Sequence, residues 1–360
     1  MFETNYSTLI ARFTLGMAIL LIACGLLIAG DDKTPTPQST LKQKIHNLTQ
    51  AARSASDFTH IIERCQSEMD GQVSESETEY LRSVKSWALN RRCEMRAELA
   101  ADFVSASNRP QANIIADQAL ADAIEAIELD STRWRAFLNR GMLLADSRML
   151  NEALSDFQTV CQLQPKESLG WYNCGEAQSA LLDFSAAVDS YTRALEINSG
   201  DLQALTGRGL ACCRMGDFAA ATKDFDFVVR MRGNDAAALI NRGDSRQGLG
   251  QWRDAYDDYL QAAKIDDNGV ASARAAWLLA TCPDEEFYRP DTAIDLAKHS
   301  IEKAGENVSS LEALAAAHAC KGEFVKAIET QKRAIRLCDI TNSECMERLK
   351  LYEQQKPFVR

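Results

Sequence analysis

Small and aromatic positions of this chain return every 34 residues between Trp134 and Gly269. Gly141, Gly175, Gly209 and Gly243 hold one slot, and Ala153, Ala187, Ala221 and Ala255 hold a second. Phe157, Tyr191, Phe225 and Tyr259 hold a third, four residues after each alanine and so on the same helical face. The pattern predicts two helices per unit, A and B, joined by a turn. A small residue on each helix lets A and B approach closely, and the aromatic fills the space beside the contact. Each such unit leaves an apolar face uncovered until a neighbour stacks on it, so several units are needed for stability.

A polar pattern runs inside the apolar one. Arg140, Arg208 and Arg242 precede the recurring glycine, and Asp156, Asp224 and Asp258 precede the aromatic of the same units. The unit with Cys174 in the arginine slot has Ser190 in the aspartate slot, so charge and countercharge are lost together. This predicts an ion pair between helix A and helix B of one unit, bordering the packed face where a lone charge is costly.

Outside the four regular units the pattern loosens. Residues 13–30 form an uncharged, mostly apolar run between Arg12 and Asp31-Asp32, long enough to cross a bilayer as a helix with the rest of the chain exported. A cleaved signal peptide ending at Ala29 or Gly30, or lipidation at Cys24, are the competing readings. Residues 31–40, with two Thr-Pro pairs, read as an extended tether. Residues 41–70 keep helical spacing as one long helix or two short ones, ended by Asp70-Gly71, with Ser74 or Ser76 able to cap the next. Residues 74–131 read as a divergent first repeat in which Arg92 and Asp122 repeat the charge pairing, with about fourteen extra residues and Pro110 between its helices. Residues 270–307 carry Trp277 where glycine is expected and a longer loop starting at Cys282-Pro283-Asp284. The unit at 308–341 returns to form, and 342–360 supply a capping helix and tail.

The motifs Trp171, Gly175, Ala187, Tyr191 and Ala194, with Pro165 closing the preceding unit, resemble the tetratricopeptide repeat (TPR) family. The stretch Ala276-Trp277-Leu278-Leu279-Ala280-Thr281-Cys282-Pro283-Asp284 and the ending Lys356-Pro357-Phe358 are similar to segments of a bacterial TPR subfamily, exported or membrane-anchored. The resemblance implies an all-α fold, an α-solenoid in which the units form a right-handed superhelix, here behind an N-terminal transmembrane or signal helix. It implies a role in protein recognition, with helix A positions two, five, six, nine and twelve lining the concave face. Those positions include Asn139, Asn173 and Asn241 at the sixth and Met142, Glu176, Leu210 and Asp244 at the ninth. An asparagine amide both donates to and accepts from an extended peptide backbone; the same residues could equally serve to solvate the face. No unit pairs a lysine at the fifth slot with an asparagine at the ninth, so recognition of an acidic chaperone tail is not implied.

Composition narrows the remaining classes. A net charge of −11 with acidic and basic residues interspersed leaves no basic stripe for nucleic acid. Eleven cysteines contain no C-x-x-C, and Cys93, Cys174 and Cys212 fall on small or apolar slots, which predicts structural thiols; export would keep disulfides open. Of the four histidines, His46, His60, His299 and His318, none has a second metal-motif pair, and His318 reads as a core residue. Gly248-Leu249-Gly250 lacks the trailing Gly-Lys-Ser/Thr of a phosphate loop. The expectation is a non-catalytic scaffold without cofactor or metal, tethered to a membrane through residues 13–30 and binding a protein or peptide. The alternatives are a self-associating structural element and an accessory subunit of an enzyme complex.

Overall fold

The computed structural model describes residues 40–338 and 343–359, and among them every regular element is helical. The apolar segment 13–30 and the tether, apart from Thr40, lie outside the described residues. Among the described residues no helix is long and apolar enough to cross a membrane. Contacts divide the chain into two units, one ending at Ser199 and one beginning at Gly200.

The first unit holds α1 (Thr40–Ala51), α2 (Ala55–Met69), α3 (Glu75–Ser105), α4 (Arg109–Leu129), α5 (Trp134–Asp146), α6 (Leu150–Leu163), α7 (Ser168–Ala180) and α8 (Phe184–Ile197). Residues 41–70 thus form two helices. Ser54 caps α2, accepting from the Asp57 amide while the Asp57 carboxylate accepts from the Ser54 amide, and Ser74 with Glu77 caps α3 in the same way. The extra residues of the divergent repeat lengthen α3 to 31 residues and α4 to 21, and Pro110 sits in the first turn of α4, where its missing N–H costs nothing.

The second unit holds α9 (Leu202–Met215), α10 (Phe218–Arg232), α11 (Ala236–Gly248), α12 (Trp252–Ile265), α13 (Val270–Thr281), a 3₁₀ turn (Glu285–Phe287), α14 (Pro290–Ala304), α15 (Val308–Cys320), α16 (Phe324–Leu337) and α17 (Ser343–Glu353). Aspartates cap helices in register with the repeat: Asp183 and Asp217 open B helices, and Asp201 and Asp235 open A helices. The A-to-B turn needs a left-handed residue at one fixed place. Gly216 and Gly250 supply it freely, while Arg148 and Leu182 adopt φ of 65° and 66° at the matching positions, each against a cost of about 1 kcal/mol.

The aromatic of each regular unit does more than sit beside the glycine. A Cβ on Gly141, Gly175, Gly209 or Gly243 would come within 2.6 to 2.8 Å of the Phe157, Tyr191, Phe225 or Tyr259 ring respectively, so each ring lies on bare glycine backbone. Elsewhere the volumes are redistributed. In the divergent repeat Cys93 takes the glycine slot, and Ala123 replaces the aromatic, so the larger partner moves to helix A and the contact stays closed. The second unit departs further: every residue from Ala271 to Cys282 and from Ser310 to Cys320 is buried, so α13 and α15 are enclosed on all sides. The Trp277 ring faces Phe358 of the tail, with centroids 5.7 Å apart, and Arg348 of α17 lies over both rings.

Candidate protein-interaction face of the A helices

The charged slots form one recurring motif. Arg140 grips Asp156 through Nε (2.8 Å) and Nη2 (2.7 Å), and Arg208 grips Asp224 at the same two distances. Arg242 holds Asp258 (3.0 and 2.6 Å), and Arg92 holds Asp122 (2.9 and 2.6 Å). Each aspartate is buried, while each arginine keeps an exposed edge. The hydrogen bonds they donate to the partner aspartates hold the Arg140 and Arg208 guanidinium groups above their ordinary pKa. Two of the aspartates take a second arginine one turn along helix A: Arg246 reaches Asp258 at 2.8 Å and Arg96 reaches Asp122 at 2.6 Å. In the unit without charges, Gln178 occupies that second position. Oriented so that its nitrogen donates, it reaches Ser190 Oγ (2.6 Å), Ala186 O (3.0 Å) and Cys174 O (3.1 Å).

The ninth-slot residues read from sequence as partner-facing divide into two kinds. The Tyr191 hydroxyl donates to the Glu176 carboxylate, and the Tyr259 hydroxyl donates to Asp244 at 2.8 Å. Asp244 also lies 3.6 Å from the Arg274 guanidinium of α13. Where the aromatic slot is Phe157 or Phe225, the ninth slot is Met142 or Leu210, which need no donor. Acid thus accompanies tyrosine and an apolar side chain accompanies phenylalanine. This second coupling is legible in the sequence only when the ninth slot of helix A is compared with the aromatic slot of helix B.

The sixth-slot asparagines also differ among themselves. The Asn139 amide, half-buried on α5, donates to Asn90 Oδ1 of α3 at 2.9 Å, and Asn90 in turn donates to Glu94 at 2.9 Å. Asn241 is half-buried on α11. Asn173 is 0% exposed, and its amide donates back to the Leu169 carbonyl of its own helix at 2.8 Å. Its Oδ1 is buried with no partner, which costs on the order of 1–3 kcal/mol. Of the seven proposed contact residues, then, Asn139, Met142, Leu210 and Asn241 keep exposed area without an ionic or hydroxyl partner on helix B, within their respective units.

Other candidate groups are accounted for in the packing. His318 is buried, and its Nδ1 lies 2.7 Å from Glu323; burial lowers its pKa more than that carboxylate raises it. No group of three or more metal-binding side chains lies together among the described residues. An open depression of about 460 Å³ lies at the turns around Arg232, Asp235 and Ile265, and none of the sixth- or ninth-slot residues lines it.

No family model matches the chain, and no curated protein matches it. Solved structures do. A tetratricopeptide repeat protein from Parabacteroides merdae, 16% identical, covers 72% of this chain and 98% of its own with a TM-score of 0.55. PilF of Pseudomonas aeruginosa, 14% identical, covers 62% of this chain and 97% of its own at a TM-score of 0.49. YrrB, described as a TPR protein with an unusual peptide-binding site, is 20% identical over 61% of this chain and 96% of its own at 0.47. Identities this low bear on the fold alone, and the first of the three, with a TM-score above 0.5, shows it: an array of tetratricopeptide-type helical hairpins.

Proposed function

We propose that this chain is a non-catalytic scaffold that holds an extended segment of a protein partner against its A helices. We further propose that residues 13–30 tether it to a membrane with the repeats on the exported side. The observation that carries the first reading is the contrast within each A helix. One side is locked by glycine, a ring and the paired polar groups. The same helices leave Asn139 and Met142 on α5, Leu210 on α9 and Asn241 on α11 half-buried, with no ionic or hydroxyl partner on helix B. Amides able to pair with main chain beside apolar side chains suit an extended peptide with limited sequence preference. Stacking of copies through the C-terminal end is disfavoured, because α17 covers α16 with buried Leu349 and Tyr352.

The test is crosslinking and recovery of partners from membranes with the full-length chain and its separate Asn139→Ala and Asn241→Ala variants. Recovery of a defined partner should fall about threefold in at least one of them, one lost backbone hydrogen bond at about 0.7 kcal/mol, while the helical circular-dichroism signal is unchanged. Equal recovery by all three proteins would sink the amide surface. Release of the chain into the soluble fraction on deleting residues 13–30 tests the tether separately.

A further inference from the structure

Ten cysteines lie among the described residues, all as thiols. Two pairs bring their sulfurs together: Cys161 and Cys174 at 3.9 Å between α6 and α7, and Cys338 and Cys345 at 3.6 Å between the end of α16 and the start of α17. The first pair is sealed, both residues being buried on packed helices of the same cluster as Phe157 and Ala177. The second pair is open on one side. Cys338 is half-buried and already past the last helical residue of α16, with extended backbone angles (φ −79°, ψ 142°), so its side chain can turn without unwinding the helix. Cys345 lies behind it, held in place from three directions. Its thiol donates to Glu312 Oε1 at 3.0 Å, its carbonyl accepts from Gln331 Nε2 at 3.1 Å, and Arg348 one turn later pairs with Glu312 at 3.0 Å.

We propose that Cys338 and Cys345 are a redox couple that closes a disulfide by exchange with a small-molecule disulfide, of which oxidised glutathione is the type. The accessible Cys338 thiolate attacks one sulfur of glutathione disulfide, releasing the first glutathione thiolate and leaving a mixed disulfide on Cys338. Cys345 passes its proton to Glu312 and attacks the Cys338 sulfur, releasing the second glutathione thiolate. The two released thiolates take up the two protons. Two protein thiols are oxidised to one disulfide, and one small disulfide is reduced to two thiols. The order follows from access, since a buried thiol held to a carboxylate cannot reach a soluble disulfide first. The sulfurs must close from 3.6 Å to about 2.05 Å, which rotation of the Cys338 side chain supplies.

The bond would act on the cover of the second unit. The helix it ties down carries Arg348, which lies over the Trp277 ring (5.2 Å) and the Phe358 ring (5.6 Å), and Tyr352, which is fully buried. These contacts enclose α13 and α15, so a bond between α16 and α17 restrains opening of the tail from that surface. The inference stands independently of the partner-binding reading.

Mass spectrometry of the full-length chain incubated with oxidised glutathione tests it. The tryptic peptide 337–348, which contains both cysteines, should lose about 2 Da in the wild type and in Cys161→Ser, and should keep its mass in Cys345→Ser apart from a glutathione adduct on Cys338. Hydrogen exchange of α17 and residues 354–359 should slow on the order of tenfold in the oxidised wild type and stay unchanged in Cys338→Ser. A stable glutathione adduct on Cys338 of the wild type, prior closure of Cys161 with Cys174, or no oxidation at all would overturn the couple. Closure without slowed exchange would overturn the restraint.

Discussion

In the hairpin α7–α8 the Tyr191 ring rests on Gly175, and in α11–α12 the Tyr259 ring rests on Gly243 with nearly the same clearance. The polar groups beside the two rings differ. In α11–α12 the buried Asp258 is held by Arg242 and Arg246, and both arginines also reach Asp226. In α7–α8 the same space holds Gln178 and Ser190, which are neutral. The packing contact is thus the constant part of the unit, and the polar filling is variable provided that donors meet acceptors. The last repeat supports this: Leu314 and Thr330 stand by count where arginine and aspartate would pair, and charge and countercharge are again absent together.

The largest expected difference between the two hairpins lies in removing the acceptor. Asp258→Ala leaves two guanidinium groups beside the packed face with only the half-exposed Asp226 as partner and should destabilise by about 3 kcal/mol. Ser190→Ala removes one neutral acceptor and should cost about 1 kcal/mol. Urea denaturation followed by circular dichroism measures both, and equal losses would show that the charge adds nothing beyond the hydrogen bonds it makes.

A smaller difference separates the two kinds of ninth slot. Tyr191→Phe deprives Glu176 of a hydroxyl donor and should cost about 1–2 kcal/mol. Adding Glu176→Leu reproduces the Phe225 and Leu210 combination of the neighbouring repeat type and should recover most of that loss. A double-mutant cycle with no coupling energy would mean that the tyrosine–acid pairing is an accident of four units.

These couplings explain how much could be read from the chain. The period, the glycine and aromatic slots and the arginine–aspartate pairing are local in sequence, because helices A and B of one unit are separated by a short turn. The burial of Asn173 is not legible in the same way, because a slot number does not say whether an amide turns outward or back to the Leu169 carbonyl. The enclosure of α13 and α15 was not legible at all. It depends on Arg348 and Phe358 returning to Trp277 from far along the chain, and no periodic rule specifies that closure. The length of α3 escaped for a related reason, since Pro110 marks where a helix cannot continue but not how far its neighbour extends.

The smallest predicted effect is a pH dependence of α7–α8. Burial raises the Glu176 pKa above 4.5, and the hydroxyls of Tyr191 and Tyr172 offset this only in part. In the unfolded chain the same carboxyl titrates near its ordinary value. Between the two, the folded hairpin keeps a proton that the unfolded chain has released, so the folded state binds more protons and is favoured as pH falls. The stabilisation is fully present below 4.5 and is lost as pH rises through the raised folded value. Hydrogen exchange of the α7 and α8 amides, corrected for intrinsic rates, should therefore show greater protection at pH 5 than at pH 8 in the wild type, and Glu176→Gln should flatten that slope while leaving α11–α12 unaffected. A slope that persists in Glu176→Gln would assign the dependence to another group and remove the acid from the distinction between the two tyrosine-bearing hairpins.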